Sequence, residues 1–182
     1  MKYFFCLLQA LLLSNIVLAQ SSVSYKDGRC SIDDSLIRRN KNLPALLADL
    51  DTTDLQFYTT AKHIPQSLSS FFYDIKGESL WLADPDADYN CCCTIIEGLP
   101  FRRLIYFGTN GKLALLSYDR GGGFASTRIV LIFRLDGKRV VDFWGGDMWR
   151  AHWAELKNRD AIVYYLRRYM HDPDYYTGMG RL

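Results

Sequence analysis

The sequence lacks the short motifs that mark several common classes of enzyme. It contains no G-x-S-x-G turn of serine hydrolases, no H-E-x-x-H zinc helix and no G-x-G-x-x-G dinucleotide loop. Histidine is also scarce, with 3 residues in the whole chain. None of them has a recognisable spacing to the cysteines, although a cysteine nucleophile usually needs a nearby base. These absences leave the sequence without an indicated reaction, and we predict no cofactor.

A large excess of charge of either sign is absent as well. The chain has 22 Lys and Arg residues against 20 Asp and Glu residues, which argues against a dedicated nucleic-acid-binding protein. The charges are unevenly spread, because residues 33–97 hold 11 acidic and 5 basic residues whereas residues 98–182 hold 8 acidic and 14 basic residues. We favour two halves that pack on each other. The alternative is a bipolar surface that steers a charged partner.

Long apolar runs are absent except at the N-terminus. Residues 3–19 are mostly apolar, follow Lys2 and end in Val17-Leu18-Ala19. This pattern is typical of a secretory signal peptide that is cleaved before Gln20. Polar residues interrupt the run, so we expect residues 1–19 to be removed rather than to stay as a membrane anchor.

The rest of the chain indicates one domain outside the cytoplasm. Residues 20–31 are mostly polar and predict an exposed lead-in, and residues 32–182 are long enough to form a single core. A signal peptide implies a secreted or periplasmic protein with no membrane span after cleavage. The oligomeric state stays open.

The N-terminal half has the periodicity of helices. Leucines recur at helical spacing behind Pro44, which suits the first turn of a helix. A later apolar face ends at Gly77, a natural helix stop. We predict helical segments at residues 31–40, 42–51, 51–65 and 65–77.

The C-terminal half changes to the periodicity of strands. Two pairs of apolar runs are joined through Asn110-Gly111 and Asp136-Gly137, which suit the type I′ turns of hairpins. A shorter strand is predicted at residues 92–97. The last element is predicted to be helical, with Asp147 as a possible cap for residues 148–158 and Asp160 as a cap or extension for residues 161–170. The sum predicts an α+β fold with N-terminal helices packed on a four- to five-stranded antiparallel meander sheet, followed by a C-terminal helix.

An acidic stretch before the cysteines suggests a weak calcium site. Its oxygen-bearing side chains alternate along the chain: Asp84, Asp86, Asp88 and Asn90. The stretch departs from an EF-hand loop, since Tyr89 stands where Gly is expected and Ile95 where a bidentate Glu is expected. An ordinary solvated loop is the favoured interpretation.

The cysteines predict a disulfide rather than a reactive or metal-binding thiol. In a secreted chain, Cys30 is expected to bond to one of three adjacent residues, Cys91, Cys92 or Cys93. A bond between neighbours in this triplet is geometrically awkward, because their Cα atoms lie about 3.8 Å apart. The long loop closed from Cys30 would contribute roughly 4 kcal/mol to stability. Three consecutive thiols do not match the usual spacing of a zinc site.

Residues 142–153, with the sequence DFWGGDMWRAHW, form the other segment of interest. Aromatic side chains beside carboxylates and an arginine can form a sugar or peptide pocket, and we propose as binding residues Trp144, Asp147, Trp149, Arg150 and His152. If the protein is an enzyme, the acid–base candidates are Asp142, Asp147 and His152. In the alternative interpretation Trp149 and Trp153 are core, Asp147 caps a helix and Gly145-Gly146 forms the turn before it.

These observations predict a non-catalytic binding domain for a protein, peptide or glycan. Its surface would include the glycine-rich connection at residues 119–127 and the junction at residues 142–153. Two alternatives stay open: a small extracytoplasmic hydrolase with carboxylate or histidine acid–base chemistry, and an envelope-associated structural domain stapled by a disulfide.

Overall fold

The structure is a computed structural model that describes residues 21–92, 94–122, 126–148, 156–169 and 171. It begins with a hairpin in which β1, Val23–Lys26, pairs with β2, Arg29–Ile32. Asp27 and Gly28 connect the strands at φ values of 51° and 77°, as a type I′ turn requires. The segment predicted as an exposed lead-in therefore contains regular structure.

Three helices follow where the periodicity predicted them. They are α1, Asp34–Arg38, α2, Leu43–Thr52, and α3, Gln66–Lys76. The Asp33 carboxylate caps α1 by accepting hydrogen bonds from the first backbone N–H groups of the helix. Gly77 ends α3 in the left-handed conformation at φ 72°. Local sequence signals are sufficient to define these helices.

The helix predicted at residues 51–65 is wrong. The chain instead forms β3, Gln56–Tyr58, and a 3-10 helix, Ala61–His63. Phe57 and Tyr58 pair with the next strand, and the Tyr58 ring lies 5.8 Å from the Phe107 ring between centroids. Strand pairing and ring packing outweigh the weak helical propensity of this segment.

Five antiparallel strands make the main sheet. After β3 come β4, Arg102–Thr109, β5, Leu113–Arg120, β6, Thr127–Asp136, and β7, Arg139–Met148, and their order in the sheet is the order in the chain. The predicted hairpins through Asn110-Gly111 and Asp136-Gly137 are confirmed. Residues 123–125 of the glycine-rich connection lie outside the described residues.

The strand predicted at residues 92–97 is not formed in its described part, residues 92 and 94–97. The chain makes a loop closed by the buried side chain of Asn90. Its Nδ2 donates to the carbonyls of Leu99 at 2.8 Å and Ile96 at 3.1 Å, and its Oδ1 accepts from the Ile96 N–H at 2.7 Å. One amide side chain thus replaces the backbone pairing of a strand. The fifth strand is β3 instead.

Side-chain contacts connect helices to the sheet. Phe71 of α3 meets Phe133 and Phe143, with centroids 6.0 and 5.1 Å apart. The last helix, α4, spans Arg159–Tyr169 as its periodicity predicted, and Arg159 donates to the carbonyl of Thr53 at 2.8 Å. The described chain is an α+β fold with a five-stranded antiparallel sheet and four α-helices. None of the helices in these ranges is long and apolar enough to cross a bilayer.

Ionisation of Tyr118 lowers the stability of the folded protein at alkaline pH. The residue is fully buried in β5, and burial raises its pKa from 10.0 to about 12, against the opposing effect of Arg102 and Arg120. The folded state therefore keeps a proton that the unfolded chain releases near pH 10. The stability linked to this proton is complete below about pH 10 and is lost as the pH rises towards about 12.

We expect Tyr118→Phe to flatten this alkaline decline, because phenylalanine has no proton to lose. Two pKa units correspond to about 2.7 kcal/mol, so the variant should gain up to that amount relative to the original protein between about pH 9 and about pH 12. Urea unfolding at several pH values measures the difference. The assignment is contradicted if the difference in unfolding free energy between Tyr118→Phe and the original protein stays the same from about pH 9 to about pH 12.

Candidate binding groove

The described residues of the site predicted at 142–153 do not all lie on one face of the sheet. Asp142, Trp144 and Asp147 all lie in β7 and are 1%, 1% and 5% exposed. Their register partners in β6 are Arg134, Ile132 and Ile129. Because side chains alternate across a strand, Asp142 and Asp147 lie on opposite faces of the sheet. The structure therefore does not bring these two carboxylates together.

Two local expectations for this segment also differ from the structure. Asp147 was predicted to cap a helix, and Gly145-Gly146 to form a turn, but all three lie within β7. The indole of Trp144 is buried and its Nε1 donates to Asn40 Oδ1 at 2.9 Å. The other predicted site residues, Trp149, Arg150 and His152, lie outside the described residues.

Asp142 is the centre of a buried polar cluster. Its Oδ1 accepts from the Ser22 N–H and hydroxyl at 3.0 and 2.9 Å, from Asn42 Nδ2 at 2.8 Å and from the Phe143 N–H at 3.0 Å. Its Oδ2 accepts from Arg134 Nη1 at 3.1 Å. We call these residues the Asp142 cluster. Every oxygen of the buried carboxylate is thus hydrogen-bonded, as a buried charge requires.

Side chains of this cluster, together with the nearby Ser21 and Tyr25, cover the open edge of β7. The Ser22 hydroxyl shares its one proton between Asp142 Oδ1 and the Phe143 carbonyl, which lies 2.6 Å away, and Asn42 Nδ2 donates to that carbonyl at 2.9 Å. Ser21 Oγ donates to the Val141 carbonyl. The Tyr25 hydroxyl donates to the next carbonyl towards the turn, that of Val140, at 3.1 Å. Side chains thereby occupy backbone groups that a neighbouring strand would otherwise pair with.

The cysteines lie in separate parts of the fold. Cys30 lies in β2 opposite Tyr25, whereas Cys91 and Cys92 are exposed in the loop after Asn90. All three are free thiols, so the predicted bond from Cys30 to Cys91 or Cys92 is not formed. The third candidate, Cys93, lies outside the described residues.

The predicted calcium ligands do not converge. Asp84 Oδ1 accepts from the Ala61 N–H at 2.7 Å, and Asn90 is turned into its own loop. Asp86 and Asp88 are exposed. Within the parts of the chain that are described, no three His, Cys, Asp or Glu side chains lie close enough to hold a metal ion.

A different feature has the shape of a binding site. The groove lies between the β1–β2 hairpin, the first turns of α3 and the β6–β7 turn, and has a volume of about 490 Å³. Its walls are formed by Tyr25, Pro65, Gln66, Ser67, Ser70, Phe71, Asp74, Lys138 and Arg139. A second depression of about 330 Å³ adjoins it and adds Ser69, Tyr73 and Ser79. Both belong to one continuous surface because they share residues of α3.

Local sequence explains how the groove walls are positioned. Gln66, Ser70 and Asp74 are four residues apart, so they lie along one side of α3, while Phe71 faces the core and forms the floor. Gly137 adopts φ 58° in the β6–β7 turn. This turn brings the exposed Lys138 and Arg139 to the rim. The Arg139 guanidinium lies 5.5 Å from the centre of the Tyr25 ring.

Two titratable groups of the hairpin beside the groove, Tyr25 and Cys30, have raised pKa values. Burial, and secondarily the neighbouring Cys30, raises the pKa of Tyr25. Burial also raises the pKa of the Cys30 thiol, despite a hydrogen bond with Tyr25 that lowers it. The formal charges on the groove are therefore those of Lys138, Arg139 and Asp74. The groove thus combines two cations, one carboxylate, hydroxyls and aromatic surface.

Sequence reasoning missed this groove because its walls are distant in the chain. The Asp27-Gly28 dipeptide could have indicated the first hairpin, since it marks a type I′ turn as clearly as Asn110-Gly111 and Asp136-Gly137 do. Because residues 20–31 were predicted to be an exposed lead-in, Tyr25 was not predicted as a site residue. Nothing local to Lys138 or to α3 indicates that they meet the hairpin.

We expect Asp142→Ala to lower the free energy of unfolding by about 3 kcal/mol, because it leaves several buried donors without an acceptor. Asp142→Asn keeps one acceptor oxygen and should lose less. The exposed Asp86→Ala serves as control and should change stability by less than about 0.5 kcal/mol. Urea denaturation measures all three, and equal losses for Asp142→Ala and Asp86→Ala would contradict the role of the cluster.

Comparison with known proteins finds no match to this chain, whether among family models, curated proteins or solved structures. The candidate site therefore has to be interpreted from its own geometry and chemistry.

Proposed function

We propose that this protein is a secreted or periplasmic, non-catalytic binding domain whose groove takes a glycan bearing carboxylate groups. In this proposal the N-terminal helices packed on the sheet form the framework, and α3 supplies one wall of the site. The observation that carries the proposal is the lining of the groove, where Lys138 and Arg139 stand opposite the polar stripe of α3.

The chemistry of this lining suits a sugar. A pyranose ring offers hydroxyls around its rim and C–H groups on its faces, so it needs both hydrogen-bonding side chains and apolar surface. Gln66, Ser70 and Asp74 supply donors and acceptors along α3, and the Tyr25 ring supplies flat apolar surface that is 39% exposed. These features support a glycan over a purely apolar ligand.

The two cations at the rim support an acidic sugar. An arginine guanidinium can bind a carboxylate through two parallel hydrogen bonds, which adds geometric specificity to the charge attraction. Lys138 adds a second positive charge beside Arg139. The basic character of residues 98–182 supports the same choice, because both cations belong to that half.

Binding is favoured over hydrolysis by the number of carboxylates. Most glycosidases use two carboxyl groups on either side of the scissile bond, and the described lining of the groove holds Asp74 as its one carboxylate. Asp142 is fully engaged in its cluster. The hydrolase therefore remains the second hypothesis, and the disulfide-stapled structural domain loses support because Cys30, Cys91 and Cys92 are free thiols.

We expect the double variant Lys138→Gln/Arg139→Gln to bind a uronic-acid oligosaccharide about tenfold to a hundredfold more weakly, since a charge-assisted hydrogen bond contributes about 1.5–3 kcal/mol. Lys112→Gln is the matched control, because Lys112 is also exposed and lies in the β4–β5 turn at the same end of the sheet. Calorimetric titration with uronic-acid oligosaccharides and their neutral counterparts measures the effect.

Three outcomes would contradict the proposal. Equal affinity for acidic and neutral oligosaccharides would remove the role of the cations. Binding of acidic peptides but of no oligosaccharide would identify a peptide site. Hydrolysis of an oligosaccharide that Asp74→Asn abolishes would favour the enzyme.

The proposed location has its own test. We expect the protein recovered from its native source to begin at Gln20, because residues 1–19 have the pattern of a cleaved signal. Intact-mass measurement on the protein from the medium or envelope fraction determines the first residue. A mass that includes residues 1–19 would contradict cleavage.

A further inference from the structure

Two neighbouring thiols stand exposed far from the groove. Cys91 and Cys92 are both exposed, and their sulfur atoms lie 3.5 Å apart. They belong to the loop closed by Asn90, next to the connection between β5 and β6. The groove lies at the opposite end of these strands, beside the β6–β7 turn. A pair of sulfurs this close is a chemical feature that the binding groove does not use.

The backbone that carries the pair is held firmly. The Asn90 N–H donates to the Pro100 carbonyl at 2.8 Å, and the Ser126 hydroxyl donates to the Cys91 carbonyl at 2.9 Å. Gly121 packs directly against this peptide, since a Cβ at that position would lie 2.0 Å from the Asn90 carbonyl oxygen and 2.6 Å from Cys91 Cα. Hydrogen bonds and close packing therefore anchor the backbone at Asn90 and Cys91, next to the two thiols.

Bond geometry decides what such a pair can do. Cα atoms of adjacent residues lie about 3.8 Å apart, whereas disulfides prefer about 4.4–6.8 Å. A bond between Cys91 and Cys92 would therefore be strained, and it would also be exposed. Strained, exposed disulfides are easily reduced and are typical of labile or catalytic sites rather than of structural staples. The pair suits a bond that is made and broken repeatedly.

The hydrogen bond between the sulfurs distinguishes their roles. Cys91 Sγ donates to Cys92 Sγ, and this contact with Cys92 is the main reason that the pKa of the Cys91 thiol is raised. Cys91 therefore holds its proton more tightly than an isolated cysteine does. Since the thiolate is the attacking species, Cys92 is the sulfur that reacts first.

We propose that Cys91 and Cys92 form a thiol–disulfide exchange site that reacts with small-molecule disulfides. The Cys92 thiolate attacks one sulfur of the compound R–S–S–R, so a Cys92–S–S–R bond forms and one R–S⁻ leaves. Cys91 then loses its proton and attacks the Cys92 sulfur, which forms the Cys91–Cys92 disulfide and releases the second R–S⁻. In total two protein thiols are oxidised and one external disulfide is reduced to two thiols. An oxidising compartment supplies such compounds.

The test uses oxidised glutathione as the disulfide and Cys93→Ser protein as the common background. We expect peptide mapping to find the Cys91–Cys92 bond after oxidation and to find both thiols free again after treatment with reduced glutathione. When Cys91→Ser is added, glutathione should accumulate on Cys92 because no thiol remains to release it. When Cys92→Ser is added instead, glutathione should accumulate on Cys91 in the same way, because no second thiol remains to release it.

A second measurement avoids changing either cysteine. Phenylarsine oxide bridges closely spaced thiols, so one equivalent should protect both Cys91 and Cys92 of the Cys93→Ser protein from alkylation. Circular dichroism establishes that the variants remain folded. The absence of a Cys91–Cys92 bond after oxidation, bonding of either one to Cys30, bonds only between different chains, or no protection by the arsenical would each overturn the proposal.

Discussion

A single buried carboxylate, that of Asp142, joins parts of the chain that lie far apart in the sequence. It joins Ser22 ahead of the first hairpin, Asn42 ahead of α2, and Arg134 in the neighbouring strand. Arg134 in turn donates to Asp49 of α2 at 2.6 Å. A buried charge is costly unless each oxygen is satisfied, so the carboxylate fixes all of its donors at once. The hairpin, and with it the Tyr25 wall of the groove, is located by this cluster.

Much of the fold could be predicted because its signals are local. The Asn110-Gly111 and Asp136-Gly137 turns define the meander, and the leucine spacing with Gly77 defines the helices. The turn predicted at Gly145-Gly146 is wrong for a physical reason. Two glycines usually interrupt a strand, yet Gly145 and Gly146 continue β7 because Leu131 and Val130 of β6 pair with them. Long-range pairing of this kind has no trace in the local sequence.

The candidate site was less accessible to sequence reasoning than the fold. Its walls come from a hairpin, a helix and a turn that are far apart in the chain, and they meet through long-range contacts such as the Asp142 cluster and the packing of Phe71 on Phe143. The two chemical features of the molecule lie at opposite ends of β6, about 30 Å apart for a strand of this length. The proposed binding groove and the proposed thiol site at the Asn90 loop are therefore physically separate.

The covered edge of β7 has a consequence for the behaviour of the protein at high concentration. A sheet whose outer strand exposes unpaired backbone groups can add strands from other molecules and grow into fibrils. Here the hydroxyls of Ser21, Ser22 and Tyr25 and the amide of Asn42 occupy carbonyls along β7. At the other edge, β3 is only 3 residues long. Polar side chains along β7 and the short length of β3 thus leave few backbone groups at either edge of the sheet that could pair with another molecule.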